Sequence, residues 1–262
     1  MRLYLLPSWY NNEQVITLTG KDYNYLVNAL RLKTNQNISA RDRNGNLYML
    51  TIVSIDKKSC TLNCNRIQNE IATTDVLPQD RPVKPLVLYQ CIPKGRKADE
   101  IIKRATEIGV VKIVLAKSRN CVADLTGKEE SRLERYDSII TEAVQQSGSV
   151  VPTSVEGIID ISEVPAHFSN LCRNLGINGC GIVLHQCRLR ENQNSLFETV
   201  RGFNGAVGIA VGPEGGFTDD ECDALLKEGF KAVLLKTNIL RCETASIYAV
   251  SAVQTIVEST CW

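Results

Sequence analysis

The sequence predicts an α/β protein with a small β-rich front part: residues 1–70 read as short strands, 71–85 as a linker, and 86–262 as a mostly parallel sheet with flanking helices. Three observations carry this. The front part alternates β-type runs with turn residues. The segment ATTDVLPQDRPVKP, from Ala72 to Pro85, holds three prolines and little apolar content. Beyond it, apolar runs alternate with helix-period patterns, as strand–helix–strand units do.

In order along the chain, VITLTG, LYMLTIVSI and CTLNCNRI supply the front strands, and the Asn-Gly of RDRNGNLY marks a hairpin. After the linker, PLVLYQCI reads as a strand. DEIIKRATEIGV reads as a helix because Ile101, Ile102, Ala105 and Ile108 recur at helical spacing, and Gly109 supplies its stop. VKIVLA returns to strand. In SRLERYDSIITEAVQQSG, Leu133, Tyr136, Ile140 and Ala143 share one face and Gly148 ends the run. GIVLHQ, AVGIAV and KAVLL are the remaining strands, and Ala245, Ala249 and Ala252 give the last helix one thin, closely packable face.

With 44% hydrophobic residues in 262, the chain buries a sizeable core. No apolar run approaches the roughly 20 residues that span a bilayer, and MRLYLLPSWYNNEQ breaks at Pro7 before a signal-peptide core forms, so a cytoplasmic protein is expected. Ten cysteines, two histidines and no C-x-x-C pair point to reduced thiols and no metal site. The net charge is only +1, but its distribution is uneven. Residues 1–70 hold nine Lys or Arg against five Asp or Glu, and residues 81–119 hold ten against three. Two basic segments on a neutral chain suit a local phosphate-binding face as well as ordinary surface charge.

The stretch GIAVGPEGGFTDDE runs from a buried strand through a glycine-rich turn into a helix capped by Thr218 and Glu221. Such a turn lies at the carboxyl edge of a parallel sheet, where open α/β folds bind ligands. It lacks the Lys-Ser/Thr ending of a P-loop and the G-x-G-x-x-G spacing of a dinucleotide fold. Glu214 at its centre repels a phosphate and suits a cationic or neutral guest. A turn needing glycine for geometry alone is the competing reading. A second loop, KTNILR, enters the last helix at the same edge, bringing Ile239, Leu240, Arg241 and Glu243 together.

The motifs GPEGGFTDDE and ILRCETA, preceded by KGRKADEIIKRATEIGV and by EAVQQSG followed by VP, resemble in order and spacing the RsmE family of SPOUT-class methyltransferases. The likeness covers nearly the whole chain. It implies an amino-terminal PUA-like β-barrel that helps bind RNA, and a carboxy-terminal α/β domain threaded into a trefoil knot. It also implies S-adenosylmethionine bound within the knot and a homodimer that completes the site. The implied reaction forms 3-methyluridine in small-subunit (16S) ribosomal RNA, either free or in the assembled subunit.

By this similarity, Leu184, His185, Val211, Gly212, Pro213, Gly215, Gly216, Leu235, Lys236, Asn238, Ile239, Leu240 and Thr244 surround the cofactor. Arg241 is expected to stabilise negative charge on the uracil oxygens, and Glu214 to orient the base or accept its proton. A salt bridge from Arg241 to Glu243 is the structural alternative. Arg31, Lys94, Arg96, Lys97 and Arg104 match basic positions expected to contact RNA phosphates. The chain departs from the family pattern at Asn24, Ser149, Lys236 and Asn238. Two other functions stay open: a SPOUT enzyme acting on another RNA such as tRNA, and a noncatalytic RNA-binding protein.

Overall fold

The computed structural model describes residues 3–67, 84–123, 127–149, 151–185, 195–235 and 237–259. Of the expected linker at 71–85, only Lys84 and Pro85 are described. The chain divides into two compact units, Met1–Arg81 with Val144–Pro152, and Pro82–Ala143 with Thr153–Trp262.

The first unit is built on five strands: β1 (Leu3–Leu5), β2 (Val15–Thr19), β3 (Asn37–Arg41), β4 (Leu47–Ile55) and β5 (Ser59–Arg66). Their order is β1-β3-β4-β5-β2, antiparallel except for the parallel β1–β3 pair. Between β2 and β3, α1 (Gly20–Tyr23) leads into a π-helical turn, Asn24–Ala29, that buries Leu26. Strand periodicity places Ile16 and Leu18 of β2 and Cys60, Leu62 and Cys64 of β5 on the core face. Cys60 and Cys64 are therefore core residues, and burial pushes both thiols up. The expected hairpin joins β3 to β4 through residues 42–46. Asp42 Oδ1 accepts the backbone N–H of Asn44 and of Asn46, while Gly45 takes the left-handed conformation at φ 84°.

The second unit holds a six-stranded sheet in which every pair is parallel. Along the chain come β6 (Leu86–Cys91), α2 (Lys97–Ile108), β7 (Lys112–Lys117), α3 (Glu129–Ser147), β8 (Ser154–Asp160) and a 3-10 turn at Ile161–Glu163. They are followed by α4 (Val164–Leu175), β9 (Gly179–Leu184), α5 (Leu196–Val200), β10 (Ala206–Val211), α6 (Asp219–Lys227), β11 (Lys231–Val233) and α7 (Cys242–Ser259). The strand order is β11-β9-β10-β6-β7-β8. Both β6 and β10 are buried at every position, as continuous apolar runs covered on two faces must be. Adjacent residues of β6 show the two coverings: the Tyr89 hydroxyl meets His167 of α4, and Gln90 meets Ser246 of α7. The helix stops expected at Gly109 and Gly148 hold, both in the left-handed conformation, at φ 100° and 69°. In this unit one strand, β8, is not among those the sequence predicts.

On the α4 side, aromatic rings lie directly on strand glycines. A Cβ on Gly181 would stand 2.6 Å from the Phe230 ring, and one on Gly208 would stand 3.0 Å from Phe168. The missing side chains let Phe168 and Phe230 pack edge to face, their centroids 6.0 Å apart, against the sheet itself. The expected trefoil threading is a property of the whole chain path, part of which, residues 186–194 among it, lies outside the described residues. Among the described residues, no helix is long and apolar enough to cross a membrane.

Candidate functional site

Strands β10 and β11 flank β9, so their carboxyl ends open on the same edge of the sheet. The turn after β10 and the loop after β11 close around one cavity there, of about 200 Å³. The turn is shaped by its glycines. Gly216 sits at φ 68°, and a Cβ on Gly212 would come within 3.2 Å of the Gly216 and Phe217 backbone. Thr218 and Glu221 form the expected capping box, the Thr218 hydroxyl accepting from Glu221 N–H at 3.3 Å and Glu221 Oε2 from Thr218 N–H at 2.8 Å.

The cavity wall includes Leu184, His185, Val211, Gly212, Pro213, Glu214, Gly215 and Gly216, then Leu235, Asn238, Ile239 and Leu240 from the second loop. Lys236 lies outside the described residues. Thr244, exposed in the first turn of α7, is not part of the wall. Phe217, Val233, Leu234, Cys242 and Ala245 also line it, and sequence reasoning assigned none of them to the site. Each lies within two positions of a named residue. His185 is buried, and its Nε2 has no hydrogen-bond partner; the nearest carboxylate oxygen, on Asp219, is 3.6 Å away.

Glu214 does not stand alone in the turn. Its Oε1 accepts from the Lys97 ammonium at 2.8 Å and from the Lys94 backbone N–H at 3.1 Å. Partial burial raises the cost of its charge, but Lys97 and these N–H bonds outweigh that and hold the carboxyl below its usual range. The same ammonium lies 3.4 Å from Glu243 Oε2, which also accepts from the Cys242 thiol at 3.2 Å. Burial and then the Glu243 contact push that thiol up to about 12, so it remains a neutral donor. Glu243 is thus engaged by Lys97. Arg241 is exposed and makes no ion pair among the described residues.

A second brace comes from the segment after β7, which sequence reasoning missed. Asn120 Nδ2 donates to the carbonyls of Gly215 at 3.3 Å and Gly216 at 3.1 Å, and Arg119 N–H donates to Glu221 at 2.7 Å. A Cβ on Gly215 would meet Asn120 at 3.0 Å. An Asn in a loop carries no sequence pattern, so only the fold brings it to the turn.

Residues 79–254 match the family described as RNA methyltransferase domain, and residues 18–63 match the RNA methyltransferase PUA domain. The first match covers more than half of the chain. The chain belongs to the RNA methyltransferase family. Ribosomal RNA small subunit methyltransferase E 2 of Borreliella burgdorferi is 26% identical over 245 residues, 93% of this chain and 92% of that protein. The crystal structure of ribosomal RNA small subunit methyltransferase E from Neisseria gonorrhoeae, bound to S-adenosyl methionine, superposes with a TM-score of 0.79 at 26% identity, covering 97% of each chain. A probable rRNA-methyltransferase from Porphyromonas gingivalis shares the fold, with a TM-score of 0.79 over 99% of each chain at 19% identity.

In this RNA methyltransferase the residues expected at phosphates fall into four settings. Arg31 belongs to the first unit, exposed, in the left-handed conformation at φ 57°. Lys94 and Arg96 are exposed on either side of Gly95, just before α2. Arg104 is exposed on α2, where it pairs with Glu107 at 2.9 Å. Lys97 differs from the rest, because two of its three donors already face carboxylates.

Proposed function

We propose that the chain transfers a methyl group from S-adenosylmethionine to ring nitrogen 3 of a uridine in small-subunit (16S) ribosomal RNA. The observation that carries the reading is the cavity between the glycine turn and the ILRCETA loop, in a chain of this family. Its wall suits that cofactor. It offers main-chain polar groups on glycine, the apolar faces of Leu184, Val211 and Leu240, no lysine within the glycine turn, and a buried imidazole nitrogen without a partner. When bound, the cofactor supplies an electrophilic methyl group on a sulfonium.

The protein's own residues then have to hold the uracil imide and stabilise charge as its proton leaves. Arg241, next to the cavity and free of ion pairs among the described residues, serves the developing charge on the uracil oxygens. A carboxylate held below its usual range by an ammonium is a weak base, so Glu214 positions the turn or the base rather than taking the proton. Thirteen residues, Thr244 and Lys236 among them, remain assigned to the cofactor, and Arg31, Lys94, Arg96 and Arg104 to phosphates. The active enzyme is a cytoplasmic homodimer in this reading. Ile239, 84% exposed on the cavity-lining loop, supports a second copy covering that wall.

The test uses purified protein, labelled S-adenosylmethionine, and either small ribosomal subunits or free rRNA, followed by identification of the modified nucleoside. Label in 3-methyluridine is the expected result. No base-methylated uridine from any substrate sinks the reading, and label in a ribose or in tRNA redirects it to another RNA.

A further inference from the structure

Three separate segments meet at the Lys97 ammonium: the start of α2, Glu214 of the glycine turn, and Glu243 at the start of α7. We infer that Lys97 is a positioning residue for the cofactor, tying the glycine turn to the loop before α7 by joining Glu214 to Glu243. This rests on the cavity being the cofactor site.

The geometry favours a tie over a phosphate contact. Both carboxylate oxygens lie within 3.4 Å of one nitrogen, and the three side chains are only 32%, 26% and 17% exposed for Lys97, Glu214 and Glu243. Partly shielded charges interact more strongly than surface pairs, and without the ammonium two like charges would be left a few ångströms apart. Their remaining donors do not link them. Lys94 N–H serves Glu214 alone, and the Cys242 thiol serves Glu243 alone. Glu214 lines the cavity, and Glu243 directly follows Cys242, which lines it from the other segment, so a tie between the two acids bears on how far apart those segments stand. Lysine does this without adding positive charge to the wall itself, since Lys97 is outside the lining.

Lys97→Met and Lys97→Arg are compared with the wild type in two measurements: calorimetric affinity for S-adenosylmethionine, and amide hydrogen exchange of residues 211–217 and 237–243 without ligand. Lys97→Met is expected to bind at least tenfold more weakly and to exchange at least tenfold faster in both segments, with Lys97→Arg restoring both. Unchanged exchange and affinity in Lys97→Met would overturn the inference. A wild type that fails to bind the cofactor removes the cofactor reading, and the ligand-free exchange still decides whether Lys97 ties the loops.

Discussion

At the scale of single residues, the chemistry rests on which charges are already satisfied. Lys97 occupies Glu243, and this leaves the Arg241 guanidinium exposed beside the cavity with no ion pair among the described residues. Arg241→Ala should lower kcat by about 10²–10³-fold, the usual cost of removing one group that stabilises developing charge, while cofactor affinity stays within twofold. Steady-state kinetics together with calorimetry check this; full turnover in the variant would return Arg241 to a surface role. The sequence makes Arg241 and Glu214 visible because each sits in a motif. It cannot show that Lys97 faces Glu214, because the two are 117 positions apart and no local pattern links them.

At the scale of elements, one device fixes the glycine turn and another joins the sheet to α4. The capping box starts α6 directly after the glycine turn, so Thr218→Ala should cost about 1 kcal/mol, read as a lowered chemical-denaturation midpoint. Farther from the cavity, Tyr89 of β6, His167 of α4, Glu156 of β8 and Lys112 of β7 form a chain. Its hydroxyl–imidazole and imidazole–carboxylate contacts are both 2.8 Å, and Lys112 pairs with Glu156 at its end. Burial works against the Glu156 charge, but Lys112 and His167 outweigh it and hold the carboxyl low. A depressed folded-state value gives stability that is present above the ordinary carboxylate range and lost as pH falls through it. Acid unfolding of Glu156→Gln, followed by circular dichroism, should therefore show a shallower loss below about pH 4.5 than the wild type. The strands from β6 to β11 are legible as apolar runs except β8. SVEGIID is half-exposed at every interior position, so it has neither a continuous run nor a clean alternation.

At the scale of the molecule, a net charge of +1 conceals the exposed basic residues proposed to contact RNA. Affinity for rRNA fragments should fall as salt rises. Arg96→Ala should reduce the slope of log affinity against log salt by about 0.7–0.9 and leave cofactor affinity unchanged, whereas an unaltered slope would remove Arg96 from the interface. The first unit is discontinuous, since Val144–Pro152 cluster with the front of the chain although α3 begins in the second unit. No composition change marks that return. The front strands β2, β4 and β5 are readable in the sequence, but the assignment of 144–152 is not, because it depends on contacts between distant segments.

The two borders of the parallel sheet have a consequence for how copies of this protein meet. One border, β11, is three residues long. The other, β8, carries Glu156 and Asp160 and is interrupted where Gly157 falls out of register between the partners of Val114 and Leu115. A short border and a charged, bulged one are poor templates for an incoming strand. Extension of this sheet from one molecule to the next is disfavoured at both ends, so crowding of the nascent or heated protein is not channelled into fibre-like stacking along it.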